Sequence, residues 1–154
     1  MAAGRQYWLV KSEPDSFSWN QQVERGIEPW TGVRNFRARA NLQAMKQGDL
    51  VFFYHSNEGR EIVGVVEVVR EAYPDPSVKP GEKGEWVCCD MQAISPFPRP
   101  VTLAEIKADP QFAEFELVRL SRLSVAVVSP EHWKAVCKLG GWKAPRAKAG
   151  RDAA

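Results

Sequence analysis

Hydrophobic and polar positions divide the chain into short runs whose periods change from two to nearly four and back. Tyr7-Trp8-Leu9-Val10 is apolar and rich in β-formers, and reads as a first strand. Lys11-Ser12-Glu13-Pro14 ends it, because proline lacks an amide proton and holds the residue before it extended. Asp15 or Ser16 is then placed to cap a short helix that reaches about Arg25 and stops at Gly26. Trp30-Thr31-Gly32 reads as a loop. Over residues 33–46, Ala38, Leu42 and Met45 recur at i, i+4 and i+7, which is one face of a helix, with Gly48 where a C-terminal cap is expected.

The middle of the chain predicts strands. Residues 50–56 and 62–70 are apolar, and Asn57-Glu58-Gly59-Arg60 between them suits a hairpin turn, since Asn and Gly tolerate positive φ. Phe52 to Ser56 does not alternate, so that strand is expected to be buried on both faces before it turns polar. Gly64 inside the second strand signals a bulge or a close backbone approach. Residues 73–84, with Pro74, Pro76 and Pro80, read as an exposed loop, and 85–94 as a strand ending before Pro96, Pro98 and Pro100. Thr102-Leu103-Ala104-Glu105 has the form of a capping box. A strand over 124–128 precedes a last helix that opens at Ser129-Pro130-Glu131 and stops at Gly140-Gly141. Strands outnumber helices and most links are short, which predicts an α+β fold round a curved, mainly antiparallel sheet. Residues 1–142 read as a single domain, without internal repeats, and 143–154 as a basic, disordered tail.

Composition narrows the function classes. The 44% hydrophobic content is ordinary for a globular domain of 154 residues. No apolar run approaches a membrane span, so no membrane partner is expected. Met1 to Gln6 lacks the apolar core of a signal peptide, and a cytoplasmic location is expected. Cys88, Cys89 and Cys137 do not suggest a disulfide framework, and neither His55 nor His132 supplies zinc spacing around them, so neither metal nor cofactor is expected. The tail holds Lys143, Arg146, Lys148 and Arg151 against Asp152, a net +3 within a chain of net +2. The body is therefore at −1, and only a local patch can argue for nucleic acid.

Such a patch exists. Residues 30–47 hold Arg34, Arg37, Arg39 and Lys46 with no acid. Arg34 and Asn35 fall at the predicted helix start, where free N–H groups and the dipole favour anions; Arg37, Arg39 and Lys46 are candidate phosphate contacts. A solvated helix face would show the same charges. Trp30 beside Arg34 and Asn35 offers a stacking face and edge donors, which is what a bound base requires, although a tryptophan is as often a core residue. Tyr54, His55 and Ser56 gather hydrogen-bonding groups at a strand end, where sites are commonly built. A hydrolase is disfavoured: there is no Gly-x-Ser-x-Gly elbow, and Ser56 next to His55 in a strand points to the opposite face. Glu13, Asp49, Glu58 and Glu61 lack metal-binding spacing, and no Walker or dinucleotide motif is present. The residues thus predict a non-enzymatic binding module for a planar group, with a nucleoside-binding sensor or enzyme, or a protein adaptor, as alternatives.

Several runs in order resemble the EVE domain: Trp8-Leu9-Val10-Lys11-Ser12-Glu13-Pro14, Trp30-Thr31-Gly32-Val33-Arg34-Asn35-Phe36, Gly48-Asp49, Phe53-Tyr54-His55-Ser56, Tyr73-Pro74-Asp75-Pro76, Trp86-Val87 and Leu120-Ser121-Arg122-Leu123-Ser124-Val125. The resemblance implies a PUA-like fold, a mixed barrel-like sheet flanked by short helices, related to YTH and ASCH domains. It also implies a cleft for a modified base in DNA or RNA, such as methylated or hydroxymethylated cytosine. Carried over by motif, the cleft draws on Ser12, Glu13, Trp30, Gly32, Val33, Arg34, Asn35, Tyr54, His55, Ser56, Arg122, Leu123 and Ser124. One position departs from the family: Ala40, with Asn41 next, follows Ala38-Arg39 where the family tends to have asparagine.

Overall fold

A computed structural model describes residues 5–145. Its six strands are β1 (Tyr7–Ser12), β2 (Ile27–Pro29), β3 (Leu50–His55), β4 (Glu61–Pro74), β5 (Val87–Thr102) and β6 (Val125–Val128). They form one sheet in the order β2-β5-β4-β3-β1-β6. Only β1 and β3 are parallel, with Tyr7 opposite Leu50 and Ser12 opposite His55; the other pairs are antiparallel. The sheet is open rather than barrel-like. Its edge strands β2 and β6 do not pair with each other, and the β6 edge is blunted by Glu116, whose Oε1 accepts from the Val127 N–H at 2.9 Å.

Both faces of this sheet are covered, which explains why β3 shows no alternation. On one face Trp8, Val10, Val51, Phe53, Val66 and Met91 pack against Trp19 of α1 (Trp19–Arg25) and against Ala38 and Leu42 of α2 (Phe36–Ala44). On the other, Leu9, Phe52, Tyr54, Ile62 and Val65 meet Ile106 of α3 (Leu103–Lys107), Leu117 of α4 (Glu116–Arg119), and Trp133 and Val136 of α5 (Pro130–Gly140). Trp133 stacks on Phe52 with ring centroids 3.8 Å apart. Among the described helices none is long and apolar enough to cross a membrane. Of the predicted basic tail, Lys143 to Pro145 are exposed, and 146–154 lie outside the described residues.

Local signals set the helix ends, with corrections. The capping boxes form at Ser18 with Gln21 and at Thr102 with Glu105. Helix α1 thus starts at Trp19, not after Asp15 or Ser16, because the Ser16 and Phe17 N–H groups first close a turn on the Glu13 carbonyl. Helix α2 starts at Phe36, where the Asn35 side chain accepts from Ala38, and ends with Met45 already extended rather than at Gly48. Its Asn41 donates to the Val125 carbonyl at 2.7 Å and ties α2 to β6.

The proline cluster does not end β5. Short β2 pairs only with Asp90 to Gln92, so β5 beyond them has β4 on one side alone, and a strand edge tolerates proline. Strand β4 likewise continues through Tyr73 and Pro74, opposite Cys88 and Val87. Gly64 marks both a bulge and a close approach. The register of β4 shifts beside it, and a Cβ there would lie 2.6 Å from the Trp19 ring.

Candidate functional site

Parallel β1 and β3 bring both carboxyl ends to one border of the sheet, and antiparallel β6 begins at the same border. Ser12, Ser56 and Ser124 therefore converge: the Ser56 N–H donates to the Ser12 carbonyl and the Lys11 N–H to the Ser124 carbonyl, both at 3.0 Å. Beyond these strand ends opens a cleft of about 660 Å³, within the ordinary range for a small-ligand site. Its further walls are Glu13, Ser16 and Phe17 after β1, Arg25 at the end of α1, Glu28 and Pro29 of β2 with Trp30 and Thr31 after them, and Ser121 and Arg122 before β6.

The cleft joins aromatic surface to charges of both signs. Trp30 is only 8% exposed; its backbone N–H donates to the Cys89 carbonyl at 2.8 Å, and its ring meets Phe17 and Phe53 edge-on at 6.1 and 5.5 Å. Ser12 Oγ donates to the Phe17 carbonyl at 2.5 Å, which pins the segment carrying that second ring. Lys11 is half-buried; burial lowers its pKa, and its ammonium donates to the Ser121 carbonyl at 2.7 Å. Arg25 pairs with Glu28 at 3.0 Å and lies 5.8 Å from the Phe17 ring. Arg122 is exposed and pairs with no carboxylate among the described residues. The arrangement can seat a flat heteroaromatic group against the aromatic wall that Phe17 and the exposed margin of Trp30 form, and offer cations, a Glu13 carboxylate and serine hydroxyls to its rim.

Of the residues the sequence puts forward, Ser12, Glu13, Trp30, Ser56, Arg122 and Ser124 line this cleft. Asn35, Leu123 and Arg37 line a smaller cleft beside it, which Arg122 also borders. Arg34 goes elsewhere: its guanidinium bonds Asp75 at 3.1 Å and Glu82 at 2.6 Å. Asp75 is 5% exposed and also accepts from the Gly32 N–H at 2.8 Å and from Ser77 N and Oγ at 2.6 Å each. Burial would raise the Asp75 pKa, but the hydrogen bonds from Ser77, Gly32 and Arg34 outweigh it and hold it below the usual carboxylate value. Gly32, at φ 85°, supplies the left-handed turn that presents its N–H to this carboxylate, and Val33 drops into the core.

His55 and Tyr54 serve the fold. His55 Nε2 accepts the Trp19 N–H at 3.0 Å, satisfying the first turn of α1, and burial lowers its pKa, which keeps the acceptor neutral. Tyr54 is buried in the core of the opposite face. Arg39 lies 4.9 and 5.2 Å from the Phe36 and Trp86 rings, and Lys46 is exposed beyond the far end of α2. Sequence reasoning passed over Lys11, Phe17, Arg25, Thr31 and Ser121. For Lys11 a signal existed, since a lysine interrupts an apolar strand just before its end.

An open mixed sheet, covered on both faces and carrying one polar, aromatic cleft at the ends of its parallel pair, defines a small α+β ligand-binding class of domain. The chain belongs to the EVE domain family, whose model matches residues 6–139. It is similar to a Rhodopseudomonas palustris protein of known structure, at 54% identity and a TM-score of 0.82, over 88% of this chain and 93% of that one. It is also similar to the human THYN1 protein, solved in complex with 5-methylcytosine-containing DNA, at 32% identity and a TM-score of 0.79, over 90% of this chain and 99% of that one. Thymocyte nuclear protein 1 of Mus musculus is 33% identical in an alignment that covers 86% of this chain and 73% of the mouse protein.

Proposed function

We propose that this protein binds a modified base of a nucleic acid in the large cleft, without transforming it, with 5-methylcytosine in DNA as the first candidate. The observation that carries the reading is the meeting of the Trp30 and Phe17 rings with Lys11, Glu13 and Arg122 round one cleft, roomy enough for a base and its sugar. A base leaves its stack at a cost of a few kcal/mol, which about 1–3 kcal/mol of aromatic contact and the rim hydrogen bonds offset. Cytosine suits the rim, because a carboxylate such as Glu13 accepts from its exocyclic amine while a cation donates to its ring acceptors. The human relative's complex with 5-methylcytosine-containing DNA points the same way. Binding without turnover fits the chemistry at hand: neither histidine lines the cleft, and His55 is engaged by the Trp19 N–H.

Fluorescence anisotropy with matched oligonucleotides tests the reading. Burying one methyl group is worth about 0.8 kcal/mol, so methylated DNA should bind about fourfold tighter than unmethylated. Arg122→Ala should weaken both, and Lys11→Met should weaken them at unchanged fold. Equal affinity of the wild type for the two DNAs would refute the modified-base claim.

A further inference from the structure

We infer that the smaller cleft is a second nucleotide subsite, which takes the base next to the one in the large cleft, with the phosphate between them at Arg122. The inference rests on the modified-base reading of the large cleft and adds to it a footprint of two nucleotides. The smaller cleft measures about 310 Å³ and is lined by Asn35, Arg37, Leu120, Ser121, Arg122 and Leu123. Ser121 and Arg122 also border the large cleft. The two spaces therefore open on either side of one two-residue ridge, and a chain with one unit in the first must cross that ridge to enter the second.

The ridge is built to meet a phosphate. Lys11 holds the Ser121 carbonyl at 2.7 Å from the large-cleft side, which fixes the segment. Arg122 stands exposed on it, unclaimed by any carboxylate among the described residues. Past the ridge, Leu120 and Leu123 provide an apolar floor, and no acidic side chain lines the space. Arg37 lines it with 59% of its side chain exposed, held only by a 3.4 Å contact to Glu116. Aromatic or apolar floor, cation, apolar floor, cation is the order in which a nucleic-acid strand presents base, phosphate, base, phosphate.

The test compares three ligands by titration calorimetry and NMR: 5-methyl-deoxycytidine, the same nucleoside joined through phosphate to an abasic sugar, and a dinucleotide of 5-methyl-deoxycytidine and thymidine that carries a 3′-phosphate for Arg37. Arg37→Glu serves as the variant, because it reverses the charge in the smaller cleft at the second position of α2, where the helix dipole offsets part of the repulsion from Glu116. For the wild type the abasic ligand should gain part of a roughly tenfold increase over the nucleoside and the dinucleotide all of it, the scale of one charge-assisted hydrogen bond or its equivalent. Arg37→Glu should abolish the dinucleotide's gain over the abasic ligand and leave nucleoside affinity unchanged. If the nucleoside binds and the dinucleotide binds no tighter, or if Arg37→Glu weakens all three ligands alike, the second subsite is overturned while the modified-base reading stands. If the nucleoside does not bind at all, that reading fails first, and the subsite with it.

Discussion

Replacing Asp75 by alanine tests whether the loop behind Trp30 is held from a distance. The carboxylate accepts from the Gly32 N–H, from Ser77 through both N–H and hydroxyl, and from the Arg34 guanidinium. Removing one partner of a buried ion pair costs about 3–5 kcal/mol when the other is stranded. Here Arg34 keeps Glu82 at 2.6 Å, and Gly32 and Ser77 are exposed enough for water to replace part of the loss. The expected destabilisation is therefore about 2–4 kcal/mol. With a urea slope of about 1–3 kcal/mol per molar, a loss of about 3 kcal/mol lowers the midpoint by about 1–3 M. Since Gly32 lies two residues from Trp30, base binding should weaken along with stability. Asp75→Asn, which keeps an acceptor oxygen, should lose less of both. A destabilisation under about 1 kcal/mol for the alanine variant would refute the clamp.

Gly64→Ala should lower stability by about 1–3 kcal/mol in thermal melts, because its Cβ would fall 2.6 Å from the Trp19 ring, and unchanged melting would contradict the close approach. His55 should make stability depend on pH. Its pKa is lowered in the fold, so its contribution is complete above the unfolded value of 6.5 and is lost as pH falls through the folded value. Asp75 begins to lose its own contribution only below 3.8. Denaturation as pH falls below 6.5, before the carboxylates begin to titrate, should therefore show a loss that His55→Gln removes; an identical loss in that variant would exclude His55. Lys11→Met should leave the melting temperature unchanged or raise it, since a half-buried ammonium is replaced by an apolar chain, and a marked fall would show that the Ser121 contact stabilises the fold.

What could be read from the sequence was what lies close along it. The Thr102 capping box, the Ser129-Pro130 helix start and the hairpin at Asn57 involve partners within four residues. Gly64 was legible because a glycine inside an apolar strand gives up side-chain packing, which a bulge or a close neighbour makes worthwhile. Arg34 was not, since its acceptors Asp75 and Glu82 are 41 and 48 residues away and no period connects them. The same holds for Lys11, whose partner Ser121 is 110 residues distant. His55 looked like site chemistry because a strand-end histidine gives no sign that a helix 36 residues earlier will use it. The proline run misled for a related reason: whether a strand survives prolines depends on how long its neighbour is, and β2 is three residues long.

The most direct test of the central claim is a heteronuclear NMR titration that follows the tryptophan indole N–H signals. The chain has six tryptophans, and Trp30 alone among them lines the large cleft. The account predicts that an oligonucleotide carrying 5-methylcytosine shifts the Trp30 indole signal together with the backbone signals of Ser12 and Ser124, and that the unmethylated strand does so only at higher concentration. Binding of the methylated strand with the Trp30, Ser12 and Ser124 signals unmoved would contradict it.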